Sequence, residues 1–426
     1  MKLRKVLIAC ILVLTLAAAS VSALAADPLE VKIWDNNQLA GLQEIADLWT
    51  AESGIPVNIQ VVDWDNYWTL LEAGATGGQM PDVFWMHSNN ANTYMEYDIL
   101  LDLTDYIAKD GIDMSQYYDG ITKLYSLNGK QYALAKDHDT IALIYNKAIF
   151  DKYGVAYPTD DWTWDDYYEA GKAITDAGKA DGIYGAGCNT SNDQDGFFNI
   201  IYDYGGYVIN EDHTASGWDN ENTRKAMEFV GKLCTDVWAP QQMVAENGTD
   251  VLFNSGKLGM ITQGSWMIRA FYDDDDRDNY GWAMLPYADV NGNGQCDEGE
   301  RCTMYNGLGW SASTFTKQPD ACWDLIKWFG REDMQIKQAE LGVTMAGMPN
   351  MSDAFKSAFP GMNIDAFLDM EEKGTLIFRP YSKSSSRWEE QYKQELVPVW
   401  NDPSLLDGVL TNLAAEMNQI LAEENR

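Results

Sequence analysis

The sequence predicts an α/β fold with two lobes that close on each other like a clamshell. Its 426 residues exceed what one hydrophobic core usually supports, so two lobes are the default. Strand-length apolar runs alternate with stretches of helical apolar spacing, which is typical of a mostly parallel sheet covered by helices. No linker rich in Pro, Gly or Ser interrupts the chain, so the lobes have to be joined by crossing strands. Ligands of open α/β sheets bind beyond the strand ends, and here such a site would lie between the lobes.

The first part of the chain shows this alternation clearly. Residues 29–34 alternate as a strand does, and the apolar residues of 38–53 follow helical spacing until Gly54-Ile55-Pro56 ends the helix. The same alternation returns at 182–236 and 249–286. After the first helix, the sequence predicts a strand at 57–62, a helix at 67–75 and a short buried strand at 83–86.

The N-terminus predicts export from the cytoplasm. Basic residues at positions 2, 4 and 5 precede an apolar run over 6–19, and Ala23-Leu24-Ala25 is a small-x-small cleavage site. Residues 1–25 are therefore predicted to be a secretory signal peptide, with the mature chain in the periplasm or at the cell surface. The alternative is a lipoprotein box, Leu7-Ile8-Ala9-Cys10, with Cys10 lipidated. That box leaves almost no hydrophobic segment before the cysteine, so we favour cleavage near Ala25.

The charge balance excludes two classes of partner. The chain has 65 acidic and 30 basic residues and a formal net charge of −35. Long-range repulsion by such a surface disfavours nucleic acid and anionic membranes. It leaves the nature of a neutral ligand open.

The cysteines predict at most a small disulfide loop. Five remain after removal of the signal peptide, an odd number that leaves at least one thiol unpaired. Cys296 and Cys302 are six residues apart and are expected to close a small loop. Whether Cys188, Cys234 and Cys322 pair stays open.

Residues 137–176 carry a specific family resemblance. They read as a polar DHD, an apolar strand at 141–145, "IYNK", a short helix, the turn "YPTDDWTWDD" and a second helix with Thr163 as its N-cap. This order resembles the crossover segment of extracellular solute-binding protein family 1, the sugar-binding components of ABC importers, which includes maltose-binding protein. Three further segments resemble that family in the expected order: "LLEAGATGGQMPDVFWMH", "VLFNSGKLGMITQGSWM" and "NGLGWSASTFTKQPDACWDLIKWF".

The resemblance implies a type II periplasmic-binding-protein clamshell. One lobe would comprise 27–140 and 312–346, and the other 141–311 and 347–426. Such a protein captures a sugar or oligosaccharide between its lobes, delivers it to the permease subunits of an ABC transporter, and does no chemistry. It is expected to be a monomer.

Polar and aromatic residues at the predicted strand ends are the candidate ligand contacts. Trp and Tyr rings cover the flat C–H faces of a sugar, while Asp, Asn and Gln bond to its hydroxyls. Ser88 and Asn89 stand where maltose-type members have an acidic and a basic residue, which argues against a maltodextrin. The predicted contacts are Asp35, Asn36, Trp64, Asp65, His87, Ser88, Asn89, Asp137, Asp139, Asp193, Gln194, Gly264, Trp266, Trp310 and Tyr381.

Two other functions remain open at this point. Carboxylate pairs and tryptophans also describe glycoside hydrolases, and 65 acidic residues make chance pairs easy to find. The chain has no G-x-S-x-G, H-E-x-x-H or G-x-x-x-x-G-K motif that would favour an enzyme. A receptor for polyamines or other cations would also suit the acidic composition.

Residues 289–300, DVNGNGQCDEGE, predict a calcium loop independently of the family. They fit the twelve-residue EF-hand pattern, with Gly294 at the sharp turn. The flanking residues read as strands, so we expect a structural Ca²⁺ loop inserted in a hairpin of the second lobe and closed by Cys296–Cys302. An Asp-, Asn- and Gly-rich surface turn is the alternative. The predicted ligands are Asp289, Asn291, Asn293, the Gln295 carbonyl, Asp297 and Glu300.

Overall fold

A computed structural model describes residues 27–424, without the side chain of Asp65. The predicted signal peptide, with Cys10, lies outside the described residues. Within 27–424, no helix combines the length and apolar character that crossing a bilayer needs.

The described residues form an α/β protein. The strands, in chain order, are β1 Leu29–Ile33, β2 Val57–Val61, β3 Val83–Met86, β4 Ser126–Leu127, β5 Lys130–Gln131, β6 Leu134–Ala135, β7 Ile141–Asn146, β8 Tyr184–Gly187, β9 Leu258–Gly264, β10 Tyr280–Ala283, β11 Cys302–Tyr305, β12 Gly309–Ala312 and β13 Thr375–Phe378. The helices are α1 Asn36–Ser53, α2 Trp64–Gly77, α3 Ser88–Glu96, α4 Thr104–Asp110, α5 Asp119–Leu124, α6 Lys147–Tyr153, α7 Trp164–Gly178, α8 Phe198–Asp203, α9 Glu221–Asp236, α10 Gln241–Asn247, α11 Thr249–Asn254, α12 Ile268–Tyr272, α13 Pro319–Gly330, α14 Glu332–Glu340, α15 Ser352–Ser357, α16 Asp365–Lys373, α17 Ser385–Glu395, α18 Val397–Asn401 and α19 Leu406–Glu424.

The first sheet has the strand order β2-β1-β3-β12-β6. β1 pairs in parallel with β2 and β3, as the strand–helix alternation predicts. β12 returns antiparallel to β3, with Gly309 opposite Met86. All of β12 pairs with β3, so the chain has joined the first sheet by Gly309. This is three residues before the predicted lobe boundary at residue 312.

The second sheet has the order β10-β7-β9-β8. Its central strand β7 pairs antiparallel with both β10 and β9. All six residues of β7 are buried, since both faces of the sheet are covered, and such a strand reads as a continuous apolar run. This is the strand predicted at 141–145.

The hydrophobic core is divided in the same way as the sheets. One cluster surrounds the first sheet, and Trp49, Trp323 and Trp328 lie in it. Two further clusters cover the second sheet and the helices that follow residue 347. The division into 27–140 with 312–346 and 141–311 with 347–426 stays our proposal for the lobes.

The chain passes between the two sheets several times, and the crossing segments pair with each other. Isolated antiparallel bridges join Asp137 to Ala346 and Asp139 to Asn306. The Asp139 N–H donates to the Asn306 carbonyl at 2.8 Å. These crossings place Asp139 and Asn306 side by side between the sheets, where the candidate site lies.

Candidate ligand-binding cleft

The end of β3 supplies three neighbouring polar side chains of the first lobe. His87 is the N-cap of α3, and its Nδ1 accepts the Asn89 N–H at 3.3 Å. Ser88 Oγ donates to Asn306 Oδ1 at 2.9 Å, and His87 Nε2 lies 3.1 Å from Asn306 Nδ2. The buried Asn89 Oδ1 has no protein partner. These residues meet because a buried strand ends there and a helix begins at once.

Gln194 of the second lobe reaches the same point. Its Nε2 donates to Asp139 Oδ1, and its Oε1 accepts from Asn306 Nδ2 at 3.4 Å. The structure thus brings together Gln194 and Asp139 with His87 and Ser88, all four of them predicted contacts. They are at most 8 % exposed, so all four side chains are buried in this structure.

Burial sets the protonation of the titratable groups in the cleft. Burial, and next the charge of Arg379, lower the pKa of His87 to about 3. Burial, and next the charge of Asp137, raise the pKa of Asp139 well above its usual range. At neutral pH the imidazole is uncharged, and burial favours the neutral form of Asp139.

The Asp193 and Asp137 carboxylates, two further predicted contacts, are paired with cationic groups of the protein in this structure. Asp193 is 2 % exposed and accepts from Nε and Nη2 of Arg379, the former at 3.0 Å. Burial acts to raise the pKa of Asp193, but the Arg379 guanidinium outweighs it and holds that pKa below its usual value. Asp137 binds Lys136 Nζ at 2.5 Å and the Leu308 N–H at 2.7 Å. Through these contacts both carboxylates stabilise the fold instead of facing the cleft.

Beside His87 lies a cluster of indole rings that we call the aromatic wall, formed by Trp34, Trp64 and Trp68. The Trp64 ring centroid is 5.1 Å from that of Trp34, 5.5 Å from that of Trp68 and 5.3 Å from that of His87. Trp64 is 39 % exposed, which leaves part of its ring free for a ligand. Trp34 and Trp68 were missed in the sequence, although Trp34 directly follows β1 and Trp68 lies one helical turn after Trp64.

The remaining first-lobe predictions have mixed outcomes. Asp35 is the N-cap of α1, and its carboxylate accepts the Asn37 N–H at 2.8 Å. Asn36 is exposed at the start of the same helix. The side chain of Asp65 lies outside what the structure describes. Trp310 is fully buried, and its ring stacks on Phe329 at 4.4 Å between centroids. Trp310 thus lies in the core of the first lobe, and its contact with a ligand stays a prediction.

In the second lobe, Trp266 lies across the backbone of Gly264. A Cβ at Gly264 would lie 1.9 Å from the Trp266 ring, so only glycine permits this approach. The Trp266 ring is partly buried against the second-lobe core. Tyr381 instead packs its ring on that of His213, with 4.4 Å between the ring centroids. No contact among the described residues joins Tyr381 to His87, Ser88, Asp139 or Gln194.

The predicted calcium loop is a closed turn of inward-facing oxygens. Asp289 accepts the N–H groups of Asn293 and Gly294 at 2.9 and 3.0 Å, and Glu300 accepts those of Val290 and Asp297. Its Gly292, Gly294 and Gly299 have φ of 71°, 73° and 86°. Within 27–424, no three His, Cys, Asp or Glu side chains converge as a metal cluster, so a cation here would also need Asn and carbonyl oxygens.

Two details of this loop differ from the prediction. Cys296 and Cys302 are both free thiols. Cys302 is buried at the start of β11 and donates to the Gly299 carbonyl, whereas Cys296 is exposed on the loop. The flanking strands do not form a hairpin either, since β10 pairs with β7 and β11 pairs with β13.

The fold and the cleft define a two-lobed binding protein of the type II periplasmic class. Residues 34–336 match the model of the bacterial extracellular solute-binding protein family, and the chain belongs to this family. The members it resembles are binding proteins of ABC transporters and not enzymes.

Named relatives and solved structures agree with this assignment. The galactooligosaccharide-binding protein of Bacillus subtilis is 23 % identical over 320 residues, 71 % of this chain and 69 % of that protein. The maltotriose-binding protein of Pyrococcus abyssi is 23 % identical over 335 residues, 76 % and 67 % of the two chains. An ABC substrate-binding protein from Listeria monocytogenes, solved with cycloalternan, superposes with a TM-score of 0.83 at 22 % identity, covering 93 % of this chain and 99 % of that one.

Proposed function

We propose that this protein captures a neutral oligosaccharide between its two lobes and delivers it to the permease subunits of an ABC importer. It acts outside the cytoplasmic membrane, as a monomer and without catalysis. The observation that carries the proposal is the juxtaposition of the aromatic wall with the polar group of His87, Ser88, Asp139 and Gln194. An aromatic surface next to hydrogen-bonding groups matches the two faces of a sugar ring.

The charges in the cleft favour a neutral ligand. The Arg379 guanidinium is already paired with Asp193, so it is not free for an anionic ligand. Burial raises the pKa of Asp139 and so disfavours the charged carboxylate that would attract a polyamine. The names of the relatives, which bind galactooligosaccharide and maltotriose, support a sugar chain.

The carboxylates argue against a hydrolase. A glycosidase needs two carboxyl groups on opposite sides of the scissile bond, one of them free to act as a base or nucleophile. Here Asp139 bonds to Gln194, and Asp137 is held by Lys136 and the Leu308 N–H. Neither arrangement leaves a carboxylate poised for attack.

A thermal-shift screen against mono- and oligosaccharides tests the proposal. A ligand at 100 times its dissociation constant stabilises the protein by about 2.7 kcal/mol. Chromatography of the sugar after long incubation distinguishes binding from turnover: released products would contradict the binding function.

Small-angle scattering should show compaction when the bound sugar draws the lobes together. A radius of gyration that is unchanged at saturation would contradict closure.

We also propose that residues 289–300 bind a structural Ca²⁺. The observations that support this are the match to the EF-hand positions and the arrangement of Asp289, Asn293, Asp297 and Glu300 around one turn. The Asn291 and Asn293 amides both donate to Asp297 Oδ2, at 2.7 and 2.8 Å. A bound cation would replace these amide donors and draw the amide oxygens inward.

Calcium should raise the melting temperature of the wild type but not of the variant Asp289→Ala/Glu300→Ala. Glu298→Ala is the matched control, because Glu298 is an exposed acid of the same loop at a non-ligand position. If all three proteins respond equally to calcium, the loop is an ordinary surface turn.

A further inference from the structure

Asn306 lies at the junction of the two lobes and the crossing segments. It follows β11 directly and precedes β12, and it is fully buried. Its side chain contacts His87 Nε2 at 3.1 Å and Ser88 Oγ at 2.9 Å in the first lobe. The same amide reaches Gln194 Oε1 at 3.4 Å in the second lobe, while its carbonyl accepts the Asp139 N–H at 2.8 Å. Asn306 therefore contacts each of the four polar residues of the cleft, His87, Ser88, Asp139 and Gln194.

The chemistry of the side chain suits this position. A primary amide has both a donor and an acceptor group, so it can serve the first and the second lobe at once. The ring atom of His87 that meets Asn306 is Nε2, which lies 3.1 Å from the amide nitrogen. An isosteric carboxylate would offer acceptors only, and an alkyl group neither. Removing the amide would leave several buried polar atoms without a partner.

We propose that Asn306 is the positioning residue of the cleft, whose amide aligns the ligand-contacting side chains of both lobes when the protein closes. This inference rests on the proposed function, because it assigns to Asn306 the alignment of groups that would bond to the sugar. The residue itself has no free atom for the ligand. Its effect on binding is exerted through His87, Ser88, Asp139 and Gln194.

The first test compares Asn306→Ala with Ser311→Ala. Ser311 is also fully buried on the same return segment, but its Oγ donates only to the Tyr132 carbonyl, at 3.0 Å within the first lobe. Asn306→Ala should weaken the affinity for the sugar found in the screen by about ten- to a hundredfold. Ser311→Ala should change the dissociation constant by less than about twofold, even if it lowers the melting temperature. Equal affinities of the two variants would overturn the proposal.

The second test is the pH profile of Asn306→Asp. The new carboxylate beside His87 favours the imidazolium, so the ratio of the affinity at pH 5 to that at pH 8 should be higher in the variant than in the wild type. Asp139, whose pKa burial raises, contacts Asn306 in both proteins, so the wild type is the reference for its titration. The charged groups that already act on His87 are Arg379, Asp193 and Lys393, and all three remain in the variant. A merely structural role of Asn306 would lower stability without creating this pH dependence. A pH profile that matches that of the wild type would overturn the proposal.

A nuclear magnetic resonance titration of His87 separates this inference from the proposed function. If no sugar binds the wild type, the proposed function fails, yet the ring of His87 can still be followed without ligand. Asn306→Asp should raise the pH at which that ring titrates relative to the wild type. An unchanged titration would show that Asn306 and His87 do not meet in solution, and the positioning role would fall.

Discussion

The two lobes contribute different chemistry to the same cleft. The first lobe presents the aromatic wall, in which Trp64 packs edge to face on Trp34 and on Trp68, with interplanar angles of 84° and 82°. The second lobe presents Gln194 on a loop whose neighbour Asp193 is tied down by Arg379. Aromatic contact area is built by packing, whereas a hydrogen-bonding group needs a scaffold that fixes its direction. The first lobe should therefore set how much ring surface is covered, whereas the hydroxyls are bonded by polar groups from both lobes, His87 and Ser88 in the first and Gln194 in the second.

The largest expected effect is on the scaffold of the second lobe. Arg379→Met would leave the buried carboxylate of Asp193 without its cation, and it would leave Glu389 with only the more distant Lys393, at 3.8 Å. Breaking a buried ion pair in this way typically costs about 3–5 kcal/mol of unfolding free energy, which urea denaturation would measure. Arg387→Met is the matched control, because Arg387 pairs with Glu423 at the surface and exposed pairs contribute about 0–1 kcal/mol. Similar losses in both variants would mean that the buried network does not stabilise the lobe.

The next effect compares the aromatic contacts of the two lobes. Trp64→Ala should weaken sugar binding by about 1–3 kcal/mol, a typical loss for an interfacial aromatic anchor. Trp266→Ala should cost less than Trp64→Ala, because Trp266 is one ring lying on Gly264 and not part of a wall. Calorimetry with the sugar identified by the screen measures both. Trp162→Ala, a partly buried second-lobe tryptophan, controls for loss of an indole; affinity equal to that control would contradict the aromatic wall.

The part of the cleft that follows from local sequence was predictable. His87, Ser88 and Asn89 directly follow a short apolar run, and the end of a buried strand is where an α/β sheet exposes polar groups. Asp139 was found in the same way, beside the hinge strand β7. The α/β class followed from the alternation of strands and helices, and the two lobes followed from the length of the chain.

The rest depended on contacts between distant residues. Asp193 looked like a ligand contact, but Arg379, 186 residues away, pairs with it in the folded chain. The local sequence gives no sign of the role of Asn306, because that role comes from contacts with distant residues. Ser88, His87 and Gln194 are separated from it by 218, 219 and 112 positions in the sequence. Trp310 is also near a strand end, yet its side of the sheet faces the core. Sequence position can place a residue at an edge but cannot show which side chain will neutralise or cover it.

The smallest effect concerns the second lobe away from the cleft, where α17 and α19 meet. Burial, together with a hydrogen bond to Glu416, raises the pKa of Glu395 to about 7. A raised pKa means that the neutral form suits the fold, so this contribution is present below the unfolded value of 4.5 and is lost as pH rises through about 7. Glu395→Gln keeps a neutral side chain at every pH. We expect it to raise the melting temperature at pH 8 by about 1–2 °C and to leave it unchanged at pH 4.

The control for this last prediction is Glu390→Gln, since Glu390 is an exposed acid on the same helix. If Glu390→Gln and Glu395→Gln show the same melting temperatures across pH 4–8, the carboxyl groups of Glu395 and Glu416 do not share a proton. If only Glu395→Gln gains stability at high pH, the second lobe carries a carboxyl pair that is independent of the Arg379 network. Its stability would then depend on pH through a contact outside the cleft, whereas in the first lobe the aromatic wall carries no titrating charge.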